Sequence, residues 1–148
     1  MKYGILLLIF SVTLLRVMGQ SPVSWTYKAV KKAGNTYELH ITATVTGQWH
    51  IYSQNTPEGG PLPTKITFSK NPLLQLTGKP SEQGKMIVRH EDVFDLDTKF
   101  YEEKVGFVQE VKLKSSAKTS VAGQVEFMVC NDTQCLPPTT VTFKIALN

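Results

Sequence analysis

Residues 37–46 read Tyr-Glu-Leu-His-Ile-Thr-Ala-Thr-Val-Thr, and this stretch decides the fold. Apolar side chains occupy every second position from Tyr37 to Val45, and polar side chains fill the positions between them. Successive side chains of a β-strand point to opposite faces of the sheet. The alternation therefore predicts a strand with one face in the core and the other toward solvent.

The same period of two recurs along the rest of the chain, and no window shows a sustained helical period. Prolines, glycines and acidic residues between the alternating runs predict loops over 56–63, 71–84 and 91–97. We therefore predict an all-β, immunoglobulin-like β-sandwich of seven to nine strands. The other alternating runs cover residues 24–29, 49–52, 64–68, 85–88, 107–113, 121–129 and 139–147.

The N-terminal segment predicts export. Residues 1–19 carry Lys2, an apolar run over residues 4–15 and a small residue, Gly19, which is the layout of a secretory signal peptide. Residues 20–148 have the length of a single domain. Export would place the chain in an oxidising compartment, in which two cysteines can stay paired.

Composition argues against several classes of protein. The chain has 16 basic and 12 acidic residues, and its lysines are scattered, so neither nucleic acid nor an acidic membrane surface is an expected partner. We also expect no membrane insertion after signal cleavage. Because His40, His50 and His90 show no metal-ligand spacing, we expect neither a metal nor another cofactor.

Two cysteines, the only ones in the chain, carry the expected chemistry. Cys130 and Cys135 flank a four-residue loop between alternating runs, so they can face each other across a hairpin and form a disulfide. Such a bond closes a ring of six residues and would stabilise the fold by only about 2 kcal/mol. If Val129 faces the core, Cys130 falls on the other face, near the surface. The spacing alone fits a structural bond and a redox site equally.

The reactivity expected of the two thiols is low. No helix N-terminus precedes Cys130 to lower a thiol pKa, and Asp132 in the loop disfavours a neighbouring thiolate by charge repulsion. The pair is therefore better suited to being attacked as a disulfide by the thiolate of another protein than to attacking first.

Three separated motifs carry a family resemblance: Gln-Trp-His-Ile-Tyr at 48–52 with Gly-Gly-Pro at 59–61, His-Glu-Asp-Val-Phe at 90–94, and residues 125–138 around the cysteines. Together they resemble the N-terminal periplasmic domain of the thiol:disulfide interchange protein DsbD, in a Bacteroidetes-like, standalone version. Two departures from the best-known form are a cysteine spacing one residue shorter and Val93 in place of an acid.

The resemblance implies a fold, a periplasmic location, an activity and partners. It implies that Cys130 and Cys135 are a redox pair that relays electrons from a thioredoxin-like protein or a membrane thiol transporter to client disulfide proteins, as in a protein-disulfide reductase. It also implies a cap loop over the disulfide, with Phe94 as its cover. The residues that it assigns to the cap and to tuning of the thiols are His90, Glu91, Asp92, Phe94 and Tyr52.

A second hypothesis belongs to a different class of protein. The chain could be a non-catalytic, immunoglobulin-like binding module whose disulfide only holds the last hairpin together. In that case Trp49, Tyr52 and the loop at 59–61 would be exposed and would contact the partner. The redox potential separates the two hypotheses, because structural disulfides have potentials below about −300 mV.

Overall fold

The computed structural model describes residues 21–147, which form eleven strands joined by turns and loops, with no helix among them. The predicted signal peptide, residues 1–19, lies outside this described range. The strands are β1 (Val23–Lys31), β2 (Thr36–Val45), β3 (His50–Tyr52), β4 (Lys65–Phe68), β5 (Leu74–Gln83), β6 (Met86–Glu91), β7 (Leu96–Tyr101), β8 (Lys104–Leu113), β9 (Thr119–Phe127), β10 (Val129–Cys130) and β11 (Thr139–Leu147).

The strands pair in three antiparallel sheets. The first sheet has the order β1-β2-β8-β5, the second β11-β9-β4 and the third β10-β3-β7-β6. All three contribute side chains to one main core, which is how a sandwich buries the apolar face of each sheet. The predicted all-β, immunoglobulin-like β-sandwich is confirmed, although the described residues form eleven strands and not the predicted seven to nine.

Two strands match the sequence pattern closely. In β2, Leu39, Ile41 and Ala43 are fully buried, while the residues between them reach the surface. The last strand occupies the predicted residues 139–147, and Phe143 and Ile145 face the core. At both places the alternation is long and uninterrupted, so one face of the strand is specified without ambiguity.

Two predicted loops contain strands. The segment 71–84 holds β5, despite Gly78 and Pro80, because β5 is an edge strand that pairs only with β8. Its register shifts between Thr77 and Ser81, which accommodates the proline. In the acidic segment 91–97 the turn covers only residues 92–95, and β7 begins at Leu96.

The third sheet has two buried faces, and this positions the site. On one face Ile51, Tyr101 and Val129 join the main core. On the opposite face Tyr52, Phe100 and Cys130 form a second, smaller cluster, against which Ile87 and Met128 pack. We call this second cluster the small core.

Candidate functional site

The two cysteines face each other across a tight hairpin. Cys130 and Cys135 form a disulfide, and their Cα atoms are 4.0 Å apart. Asn131 shapes the loop between them, because its Oδ1 accepts hydrogen bonds from the backbone N–H of Thr133 at 2.9 Å and of Gln134 at 2.8 Å. Such Asx turns are set by local sequence alone. The conformation of the loop that joins the two cysteines is therefore stabilised by its own first residue, Asn131.

The two cysteines differ sharply in exposure. Cys135 is exposed, whereas Cys130 is only 2% exposed. The expectation that Cys130 lies near the surface is wrong. It does lie on the face opposite Val129, as the alternation predicts, but Tyr52 and Phe100 of the small core cover that face.

His50 lies directly opposite Cys130 in the strand register, although the sequence pattern gave it no role. It is 2% exposed, its Nε2 lies 3.1 Å from the Tyr52 hydroxyl, and its ring centre lies 4.3 Å from that of Phe100. Burial, reinforced by the positive charge of Arg89, lowers the pKa of His50 to about 4. The imidazole beside Cys130 is therefore neutral at neutral pH.

Tyr52 is buried in the small core, next to His50. Burial, reinforced by the negative charge of Glu91, raises the pKa of Tyr52 to about 12. The phenol therefore keeps its proton at neutral pH. The binding-module hypothesis needs an exposed Tyr52, and at 3% exposure this side chain cannot contact a partner directly.

Arg89 connects the edge strand β6 to the cysteine loop. Its guanidinium lies 4.9 Å from the ring centre of Phe100. Its Nε donates to Glu91 at 2.8 Å, and its Nη1 donates to Asp132 at 3.3 Å. Asp132 lies inside the ring that the disulfide closes, so Arg89 and Glu91 belong to the surroundings of the cysteine pair.

The turn at 92–95 carries the predicted cap residues Asp92 and Phe94, which are both exposed. Phe94 is 46% exposed and rests on the loop at 59–61, where a Cβ added to Gly60 would lie 3.4 Å from its Cγ. A larger residue at position 60 would therefore press on the ring of Phe94. The role of Phe94 as a cover for the disulfide stays a prediction.

His90 lies apart from the cysteine pair. Side chains alternate along β6, so His90 is on the opposite face from Arg89 and Glu91. Its Nδ1 lies 2.9 Å from Asp97, and its Nε2 lies 3.7 Å from Asp92. Across residues 21–147, no three or more His, Cys, Asp or Glu side chains are grouped so that they could hold a metal ion.

Sequence patterns alone missed three members of this site: His50, Arg89 and Phe100. Only His50 lies in a predicted alternating run, and the position of all three on one face of the third sheet depends on the pairing of β3, β6 and β7. The pairing of Cys130 with His50 and of Tyr52 with Phe100 brings them together.

Among residues 21–147, no helix is long and apolar enough to cross a membrane.

The fold and the cysteine hairpin together define an immunoglobulin-like domain with a disulfide-bonded cysteine pair. The family model that matches is described as "Thiol:disulfide interchange protein DsbD, N-terminal", and it matches residues 19–147. The chain belongs to this family of DsbD N-terminal domains. The resemblance found in the sequence motifs is thus confirmed.

Two solved structures have a similar fold. The N-terminal periplasmic domain of ScsB from Proteus mirabilis is 15% identical, with a TM-score of 0.61 over 88% of this chain and 48% of that one. The chain thus spans about half of the ScsB chain. The Neisseria meningitidis DsbD N-terminal domain, in the reduced form, is 13% identical, with a TM-score of 0.55 over 84% of this chain and 86% of that one. No curated protein matches the chain.

Proposed function

We propose that this chain is a periplasmic thiol:disulfide exchange domain, which relays electrons through Cys130 and Cys135 between a thioredoxin-like donor and client proteins. The observation that carries the proposal is a disulfide between one exposed and one buried cysteine. An incoming thiolate can reach Cys135, while Cys130 is sheltered as the leaving group. Membership of the DsbD N-terminal family supports this chemistry.

The exchange proceeds in two displacement steps. A thiolate of the donor dithiol attacks the Cys135 sulfur, so a mixed disulfide forms and Cys130 leaves as a thiolate, which then takes up a proton. The second donor thiolate attacks the donor sulfur of the mixed disulfide and releases Cys135. The donor ends as a disulfide and this chain as a dithiol, with two electrons transferred. The dithiol then reduces a client disulfide by the same two steps.

In this proposal the turn at 92–95 acts as a cap. Phe94 shields the disulfide until a partner displaces it, and Glu91, Asp92, His90 and Tyr52 set the charge and hydrogen bonding around the thiols. Tyr52 and Glu91 are the best supported of these, since Tyr52 packs with Cys130 and Glu91 holds Arg89. His90 would act on the turn itself, through Asp92 and Asp97.

Trapping a mixed disulfide tests the relay. In Cys130→Ala, Cys135 is converted to a mixed disulfide with thionitrobenzoate, which a thioredoxin-like protein lacking its second cysteine then displaces. We expect a stable protein–protein disulfide on a non-reducing gel. The matched variant Cys135→Ala, with only the buried cysteine, should trap about tenfold more slowly because its sulfur is covered. If neither variant traps any thioredoxin-like partner, the relay proposal fails.

A redox titration then tests the alternative of a structural bond. A midpoint potential in the range of exchange proteins, about −120 to −270 mV, supports the relay. A potential below about −300 mV would instead identify the bond as structural and favour a binding module.

A further inference from the structure

Arg89 lies on the same face of the third sheet as Cys130. In the register, Cys130 pairs with His50, Tyr52 with Phe100, and Phe100 with Ile87. Arg89 is two residues beyond Ile87 in β6, so its side chain leaves the sheet on this same face. Its guanidinium reaches over Phe100, which packs with Cys130 in the small core, and ends at Asp132 in the cysteine loop.

The ionisable groups on this face can be counted by element. Strand β7 adds only uncharged side chains to this face, namely Leu96, Thr98 and Phe100. At neutral pH His50 and Tyr52 are uncharged, and the charges that act on His50 are the cation Arg89 and the anions Asp132 and Glu91. Two further carboxylates, Glu102 and Glu103 in the turn after β7, line a cleft together with His50 and Asp132.

We propose that Arg89 stabilises the thiolate that forms at Cys130 when the disulfide is broken. This inference rests on the proposed function, in which Cys135 is attacked and Cys130 leaves. A leaving thiol departs faster when its thiolate is more stable. Of the charges that act on His50, which lies opposite Cys130, Arg89 has the largest effect and Asp132 and Glu91 oppose it. Arg89 thus offsets the repulsion that these two carboxylates exert on the leaving sulfur.

Two variants with opposite charge effects test the proposal. Arg89→Gln removes the cation, and Asp132→Asn removes one opposing anion, yet both break the same ion pair at 3.3 Å. We expect Arg89→Gln to slow reduction of the disulfide about threefold and Asp132→Asn to speed it by a similar factor. The probe is a neutral trialkylphosphine, because attraction or repulsion of a charged attacker then plays no part.

A second measurement reports on the thiol itself. In reduced protein carrying Cys135→Ala, the thiolate absorbance of Cys130 is followed against pH. We expect Arg89→Gln to move this titration to higher pH and Asp132→Asn to move it to lower pH. Arg89→Lys keeps the positive charge. Its disulfide should therefore recover at least half of the decrease in reduction rate that Arg89→Gln causes. Lys144→Gln, which removes an exposed lysine from β11, should change neither quantity.

The opposite signs separate an electrostatic role from a structural one. If Arg89 only fastens the cysteine loop, both variants lose the same contact and change the rate in the same direction. Equal signs, or no change in either variant, would overturn the proposal. Neither measurement uses a protein partner, so a failed trapping experiment and a failed charge effect are distinguishable outcomes.

Discussion

Individual side chains set the polarity of the small core. His50 is buried beside the disulfide yet has a hydrogen-bond partner in the Tyr52 hydroxyl. A buried polar group with a partner is tolerated, whereas the same group with an added charge is costly. The imidazole is therefore stable in its neutral form, and protonating it works against folding.

This predicts a loss of stability in acid that depends on His50. Its pKa in the folded chain is about 4, below the ordinary value of 6.5, so the unfolded chain binds the proton more readily. Stability is fully present above pH 6.5 and falls as the pH drops toward 4, by about 3 kcal/mol. Urea unfolding at several pH values measures this loss.

The matched variants for this prediction are His50→Gln and His40→Gln. His50→Gln should show a shallower loss of stability between pH 6.5 and pH 4. His40→Gln, which changes a half-buried residue of β2, should keep the slope of the parent chain. Identical slopes in the parent and His50→Gln would show that His50 is not the group responsible.

At the scale of elements, the hairpin of β6 and β7 carries the turn at 92–95, which is the proposed cap. Its tip exposes two neighbouring apolar side chains, Val93 at 88% and Phe94 at 46%, and only Phe94 rests on the loop that contains Gly60. A ring held in one place by a loop can shield a nearby bond, whereas a fully exposed side chain cannot. Val93 is therefore a suitable control position for a substitution of Phe94.

We expect Phe94→Ala to speed reduction of the Cys130–Cys135 disulfide by a small thiol. A severalfold increase, about threefold or more, would follow from the greater access of the thiolate to Cys135. Val93→Ala should leave the rate as it is in the parent chain. Stopped-flow measurement of thiol oxidation gives both rates, and an unchanged rate in Phe94→Ala would show that the ring is not a shield.

The strands differ in how well they could be predicted from the sequence alone. Strands β2 and β11 could be predicted because long, uninterrupted alternation marks one buried face. Strand β5 could not, since an edge strand tolerates a proline and a register shift that interrupt the pattern. The cysteine pair was evident from spacing and motifs. The partners His50 and Arg89 were not, because strand register alone brings them to Cys130.

At the scale of the whole molecule, one carboxylate ties the first sheet to the third. Glu82 of β5 accepts hydrogen bonds from Ser53 Oγ at 2.7 Å, from the backbone N–H of Gln54 at 2.7 Å and from the Tyr101 hydroxyl at 2.8 Å. Burial, together with Glu82, raises the pKa of Tyr101. This carboxylate holds the loop after β3 against β5.

We expect Glu82→Ala to lower the free energy of unfolding by about 2 kcal/mol, because three donors lose their acceptor in a partly buried place. Glu110→Ala, at an exposed position on β8, should change the stability by less than about 0.5 kcal/mol. Urea denaturation of both variants measures the difference. Equal stability of the two would mean that the carboxylate does not connect the sheets energetically.

Strand β3 separates the stability of the fold from the chemical surroundings of the cysteine pair, because alternate residues of the strand lie in different cores. Its middle residue, Ile51, belongs to the main core, while His50 and Tyr52 on either side face the small core. Substitution at Ile51 therefore acts mainly on stability, and substitution at its neighbours acts mainly on the surroundings of the sulfur. For the proposed exchange reaction this means that alternate positions of one strand can change the reactivity of the cysteines, while the residues that hold the sandwich together stay as they are.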